Sequence, residues 1–273
     1  DVRCNNAMGL WYIRKGRFVL AEKYLAKAVA LLQKRNPNPY DGEPIYNLGL
    51  ALKYQGRFDE AYNRFYKATW NGGWQDAAYF ACAQISCMRG NYEDALYEAN
   101  RSLLRNWHNP KARALKAAIL YRMGRNGEAA DLCKESVRID PFNYGCRFIE
   151  TLTGNDRNAA EILTDLMRDS EHNYDEIALD WVAAGLWQEA DRLWQIAIER
   201  GATSPMTYYY SGWCRLLAGD DAGAAQAFST GAASNPAFCF PNRPEAILAL
   251  QAAIRIHADD ANASHFLGNL YYD

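Results

Sequence analysis

The stretch YNLGLALKYQGRFDEAYNRFYKA, residues 46–68, decides the fold. Its apolar positions recur at helical spacing on both sides of Gly56, so it reads as two helices joined by a tight turn. Five further glycines stand in the same frame: Gly16, Gly90, Gly124, Gly185 and Gly219. Five residues after each comes alanine (Ala21, Ala61, Ala95, Ala129, Ala190, Ala224), and twelve after comes a small residue (Ala28, Ala68, Ser102, Ser136, Ala197, Gly231). Seven before each lies another small one: Gly9, Gly49, Ala83, Ala117, Ala178 and Gly212. Three of the five intervals between the glycines are 34 residues, the period of a helix-turn-helix repeat array. The physical cause is close approach, since two antiparallel helices cross tightly only where the side chains between them are small. Glycine in addition ends the first helix by entering the left-handed region at little cost.

The blocks GRFDEAYNRFYKA (56–68), GNYEDALYEANRS (90–102), GLWQEADRLWQIA (185–197) and GDDAGAAQAFSTG (219–231) resemble second helices of tetratricopeptide repeats, and LGLALKYQG (48–56) resembles a first helix with its turn. The resemblance implies an all-α fold: a right-handed α-solenoid of antiparallel helix pairs, about seven to eight repeats, one of them degenerate near 142–170. The chain then reads as a single solenoid over 1–273, with regular repeats over 1–142, a degenerate repeat over 143–172, repeats over 173–237, and an irregular loop with terminal helices over 238–273. The irregular intervals place these breaks. A step of 40 from Gly16 to Gly56 leaves room for the proline-rich loop RNPNPYDGEP (35–44). The step of 61 from Gly124 to Gly185 predicts a first helix around 142–152, a turn at 154–156 and a short second helix ending near 168. FCFPNRP (238–244) interrupts the register before EAILALQAAIRIH (245–257), which reads as a second helix, and ANASHFLGNLYYD (261–273) reads as a first helix cut short of its turn. That half-built unit, with a start lacking methionine, predicts a fragment of a longer polypeptide.

Composition narrows the function classes. A net charge of −2 gives no electrostatic reason for nucleic acid or an anionic membrane as partner. Apolar runs are broken by charge well short of a membrane span. The seven cysteines include no CxxC pair and read as reduced, mostly buried thiols of a cytoplasmic protein. His257, Asp259, Asp260 and His265 are the only local grouping of metal-ligand types, and they straddle a turn, so no metal site is expected. No phosphate loop or nucleophile elbow is present, so neither catalytic residues nor a cofactor are expected, and the segment reads as no enzyme.

Function should then lie on surfaces. In such a stack the successive first helices line an inner face, and residues three to four apart that avoid the packing positions form the candidate groove: Asn6, Leu10 and Ile13; Tyr46, Asn47, Leu50 and Tyr54; Phe80, Gln84 and Met88; Ala114, Ala118 and Tyr121; Tyr209, Trp213 and Leu216. The set is apolar and aromatic, and about half of it should be consumed by packing on the next repeat. Tetratricopeptide domains that hold a C-terminal carboxylate use lysine, asparagine and arginine at set places. Here those places hold Asn6 and Leu10, then Asn47, then Ala77 and Ala81, so only Asn47 fits and a carboxylate clamp is not expected. Trp70 and Trp74 flank an Asn-Gly-Gly turn and Trp107 sits at the equivalent junction one repeat on. These indoles either staple neighbouring repeats or form an edge platform for another domain or a sugar ring.

RNPNPYDGE, YNLGLALKYQGRFDEAYNRFYKATWN, WQDAAYF and CFPNRPEAILALQAAI are in turn similar to the repeat region of large bacterial proteins in which a β-sandwich like galactose mutarotase domains precedes the repeats. That resemblance implies a part in carbohydrate metabolism and carries over no catalytic residue. Two functions follow: a non-catalytic scaffold whose groove binds a peptide, a protein or a neighbouring domain of its own polypeptide, or an accessory module of a carbohydrate-active enzyme whose aromatic residues touch sugar.

Overall fold

The computed structural model describes residues 1–34, 36–154, 158–168 and 170–272. Among them are sixteen helices and no strand. They fall into two compact units, Asp1–Asp156 and Arg157–Asp273.

In the first unit the helices are α1 (Val2–Arg14), α2 (Phe18–Gln33), α3 (Glu43–Lys53), α4 (Phe58–Ala68), α5 (Gln75–Met88), α6 (Tyr92–Arg105), α7 (Pro110–Arg122), α8 (Asn126–Ile139) and α9 (Tyr144–Thr153). Consecutive helices pack as hairpins, α1 on α2 through α7 on α8, and each second helix also meets the next first helix. First helices touch one another as well: α1 meets α3, α5 meets α7 and α7 meets α9. The second unit holds α10 (Ala159–Met167), α11 (Glu171–Ala183), α12 (Trp187–Glu199), α13 (Pro205–Leu217), α14 (Asp221–Ala233), α15 (Pro244–Ile256) and α16 (Ala261–Tyr272). There α11 pairs with α12 and α13 with α14, whereas α15 lies mainly against α13 and α16. The stretch expected to hold short helices near 142–170 contains α9 and α10, with Gly154 left-handed at the end of α9. Residues 155 and 156 of the turn expected there lie outside the described residues, as does Arg35 of the proline-rich loop.

All six turn glycines have positive φ, as the spacing predicts. At Gly56, φ is +74°, its N–H donates to the Lys53 carbonyl at 2.9 Å, and the Arg57 N–H donates to the Leu52 carbonyl at 3.0 Å. Both bonds satisfy carbonyls that the end of α3 would otherwise leave open. A Cβ at this position would meet nothing within 4 Å, so a substitution there carries only the backbone cost. Gly56→Ala should therefore cost about 1–2 kcal/mol and Gly56→Asn less, read from urea midpoints at constant slope. Equal losses for the two would show that the turn is held by something other than its dihedral angle.

The small residues seven before these turns are close-approach sites. A side chain added at Gly9 would strike Leu25, at Gly49 the ring of Phe65, and at Gly212 the ring of Phe228. Leu25, Phe65 and Phe228 have no exposed surface, so each glycine is the hollow into which a residue of the second helix fits.

A candidate interaction surface

On the first helices of the unit Asp1–Asp156, the candidate residues divide into a polar layer that is used up and an apolar layer that is half open. Asn6 on α1 and Asn47 on α3 are buried, and the Asn47 side-chain amide donates to Asn6 Oδ1 at 2.9 Å while Asn6 donates to Glu43 Oε1 at 2.8 Å. Gln84 on α5 is buried too and accepts from Lys53 Nζ at 3.0 Å. These amides join one first helix to the next. Asn47, the one residue that matched a carboxylate clamp, is committed in this way.

Leu10, Leu50, Phe80 and Tyr121 are half-buried on α1, α3, α5 and α7. The Tyr54 ring stacks on Phe18 with centroids 5.0 Å apart and planes at 16°. Tyr46 lies between Phe65, at 5.1 Å, and Trp74, at 5.0 Å, and burial, with Asp76 and Cys82 adding, pushes its hydroxyl up to about 12. Trp74 is thus a staple between helix pairs. Trp70 and Trp107 differ from it, with 61 % and 53 % of their surface open to solvent. Lys67 Nζ sits 3.7 Å from the Trp70 ring centre and the Arg113 guanidinium 4.1 Å from that of Trp107.

Tyr209 and Trp213 belong to α13, in the unit Arg157–Asp273. Trp213 is half-buried. Tyr209, expected on an open face, is instead wholly buried. Its hydroxyl donates to the Asp260 carboxylate, 2.9 Å from each oxygen, and its ring lies where a side chain on Gly231 would otherwise stand. Burial and the bond to Asp260 hold the phenol well above its ordinary range, so Tyr209 anchors the turn before α16.

Two acidic groups, one buried and one half-buried, have no counterpart in the sequence reading. Glu98 on α6 is buried and accepts from the Tyr62 hydroxyl, and burial raises its pKa despite bonds from Tyr62 and Ser86. Asp175 on α11 accepts from Trp194 Nε1 at 2.8 Å. Glu98 stands at the seventh position of α6 and Asp175 at the fifth of α11, where a lone carboxylate reads in the sequence as part of a solvated helix face. Burial likewise raises the thiol pKa values of Cys82 and Cys214, which makes both poor nucleophiles. Among the described residues no group of three or more His, Cys, Asp or Glu is placed to hold a metal ion, and no helix is long and apolar enough to cross a membrane.

The family model of the tetratricopeptide repeat matches residues 89–144 and 176–237. A tetratricopeptide repeat protein from Parabacteroides merdae superposes with a TM-score of 0.53 at 17 % identity, covering 94 % of this chain and 99 % of that one. The C-terminal part of a repeat-containing protein from Cytophaga hutchinsonii gives a TM-score of 0.50 at 13 % identity, covering 87 % of this chain and 84 % of that one. Identities this low speak to fold alone. The two matched segments are thus similar to the tetratricopeptide repeat, within an all-α repeat fold.

Proposed function

We propose that this chain is a non-catalytic scaffold that binds an extended peptide or a neighbouring domain along its first helices. Tetratricopeptide folds generally mediate protein–protein interaction. The observation that carries the reading is the contrast on α1, α3, α5 and α7: the amides Asn6, Asn47 and Gln84 are bonded internally, while Leu10, Leu50, Phe80 and Tyr121 keep surface open to water. A face of that kind gains by covering apolar area and offers few free polar groups to a small polar ligand.

Peptides selected from a random display library against the chain provide the test. Leu50→Glu and Phe80→Glu should each weaken the selected peptides by roughly tenfold or more, with thermal unfolding monitored to exclude collapse. A library that yields no binders, or binders indifferent to both changes, would sink the groove reading. The open indoles of Trp70 and Trp107 favour a second reading, an accessory module of a carbohydrate-active protein following a mutarotase-like domain. Titration with mono- and oligosaccharides separates the two.

A further inference from the structure

A cleft of about 510 Å³ opens between α6, α7 and α8 of the unit Asp1–Asp156. Helical spacing builds its walls: Leu96 and Asn100 share one face of α6, Lys116 and Leu120 one face of α7, and Glu128 and Leu132 one face of α8. None of the open first-helix residues Leu10, Leu50, Phe80 and Tyr121 lines it.

The charges around the cleft are matched with one exception. Arg125 holds Glu128 through two bonds, Nε to Oε1 at 2.7 Å and Nη2 to Oε2 at 2.6 Å, and Arg113 Nη1 lies 3.5 Å from Glu135 Oε2. Lys116 is the exception. It is half-buried, and among the described residues its ammonium makes no hydrogen bond or ion pair. Burial lowers its pKa, with Arg113 and Arg125 adding and with Glu135 and Glu128 opposing. The ammonium has therefore lost hydration without gaining a bonded anion in exchange. Beside it in the same lining, the side-chain amide of Asn100 has no hydrogen-bond partner among the described residues either.

These features select a ligand. One uncompensated cation suits one negative charge, and the Asn100 amide supplies a second donor for an oxygen of that anion. A dianion such as a phosphoryl group would find no second free cation, while Asp131 and the already paired Glu128 and Glu135 disfavour its extra charge. Leu96, Leu120 and Leu132 offer apolar surface to the rest of the molecule, and the volume is that of an ordinary small-molecule site. We propose that this cleft binds an organic monocarboxylate with an apolar body, its carboxylate on Lys116 and Asn100 and its body against the three leucines. The site shares no residue with the first-helix face, so either can stand without the other.

The test is a titration of the whole 273-residue chain, with isotope-labelled leucine methyl groups followed by NMR, using octanoate as probe and octanol and octyl phosphate as parallel arms. Octanoate should bind saturably at roughly millimolar concentration or below, shifting the methyl signals of Leu96, Leu120 and Leu132, and about tenfold more tightly than either parallel probe. Lys116→Met keeps most of the side-chain stem and should weaken octanoate about tenfold while leaving octanol unchanged. Leu96→Asn should weaken both probes, with circular dichroism checking that each variant keeps its helices. A short peptide ending in leucine, with its terminus free or amidated, identifies the source of the carboxylate. Displacement of octanoate by the free-acid form alone assigns it to a protein C-terminus, and no displacement by either assigns it to a small free acid. No saturable binding at roughly 10 mM octanoate, octanol or octyl phosphate binding as tightly as octanoate, or a Lys116→Met variant that binds like the parent would each overturn the proposal.

Discussion

Phe65→Ala is expected to destabilise the unit Asp1–Asp156 by about 3–5 kcal/mol, and Gly49→Ala by about 1–3 kcal/mol, yet the two changes together should cost clearly less than their sum. Phe65 is wholly buried, and a Cβ built on Gly49 would stand 2.6 Å from its Cε1 and 2.8 Å from its Cδ1. Removing the ring empties the space in which the new methyl would otherwise collide, and alanine is then the better helix former by roughly 1 kcal/mol. The coupling should appear as an interaction energy of about 1–3 kcal/mol in a double-mutant cycle run by urea denaturation. Additivity within about 0.5 kcal/mol would mean that the ring and the glycine do not fit one another.

That pair shows what was legible in the sequence. The turns, the helix pairs and the small residues seven before each turn recur as the same kinds of residue and could be read directly. The position nine after each turn could not: it holds Leu25, Phe65, Ala99, Cys133, Trp194 and Phe228, all buried, and their sizes differ too much to form a pattern. What relates the filled positions to their hollows is complementarity across the crossing, a property of two helices together. Glycine at positions 9, 49 and 212 receives leucine or phenylalanine.

The candidate surface was less legible for a related reason. On a first helix the direction toward the open face and the direction toward the next first helix differ by about one residue of helical rotation, roughly 100°. Composition therefore cannot tell an amide that meets a ligand from one that meets a neighbour. Asn6, Asn47 and Gln84 turned out to meet neighbours. Tyr209 was misplaced because its burial depends on Gly231 and Asp260, residues 22 and 51 positions further along the chain. Trp70 and Trp107 stood out in the sequence as tryptophans, but that both rings face solvent while Trp74 packs on Tyr46 depends on contacts between helix pairs.

Between about pH 4 and pH 7 the helices α11 and α12 should lose stability as pH rises, and Asp175→Asn should remove most of that slope. Asp175 is half-buried, and burial is the main cause that lifts its carboxyl to about 7, with Glu171 and Glu176 adding and with Trp194 and Arg243 opposing. Unfolded, the same carboxyl titrates near 3.9. Across that window the folded state holds the proton more tightly than the unfolded chain, so each rise in pH costs the folded state. The contribution is fully present below about pH 4 and is gone once pH passes about 7. Its size is about 2–4 kcal/mol after allowance for partial exposure. Asparagine keeps an oxygen to accept the Trp194 Nε1 proton and has no charge to desolvate, so the variant should be the more stable protein at pH 8 by a similar amount. Hydrogen exchange of the α11 and α12 amides from pH 5 to 8, corrected for intrinsic rates, reads the effect within the unit that contains Asp175. Parallel profiles for the parent and the variant would show that Asp175 stays ionised throughout. The hydrogen bond from Trp194 and the charge of Arg243 would then have to be compensating its burial more fully than their arrangement suggests.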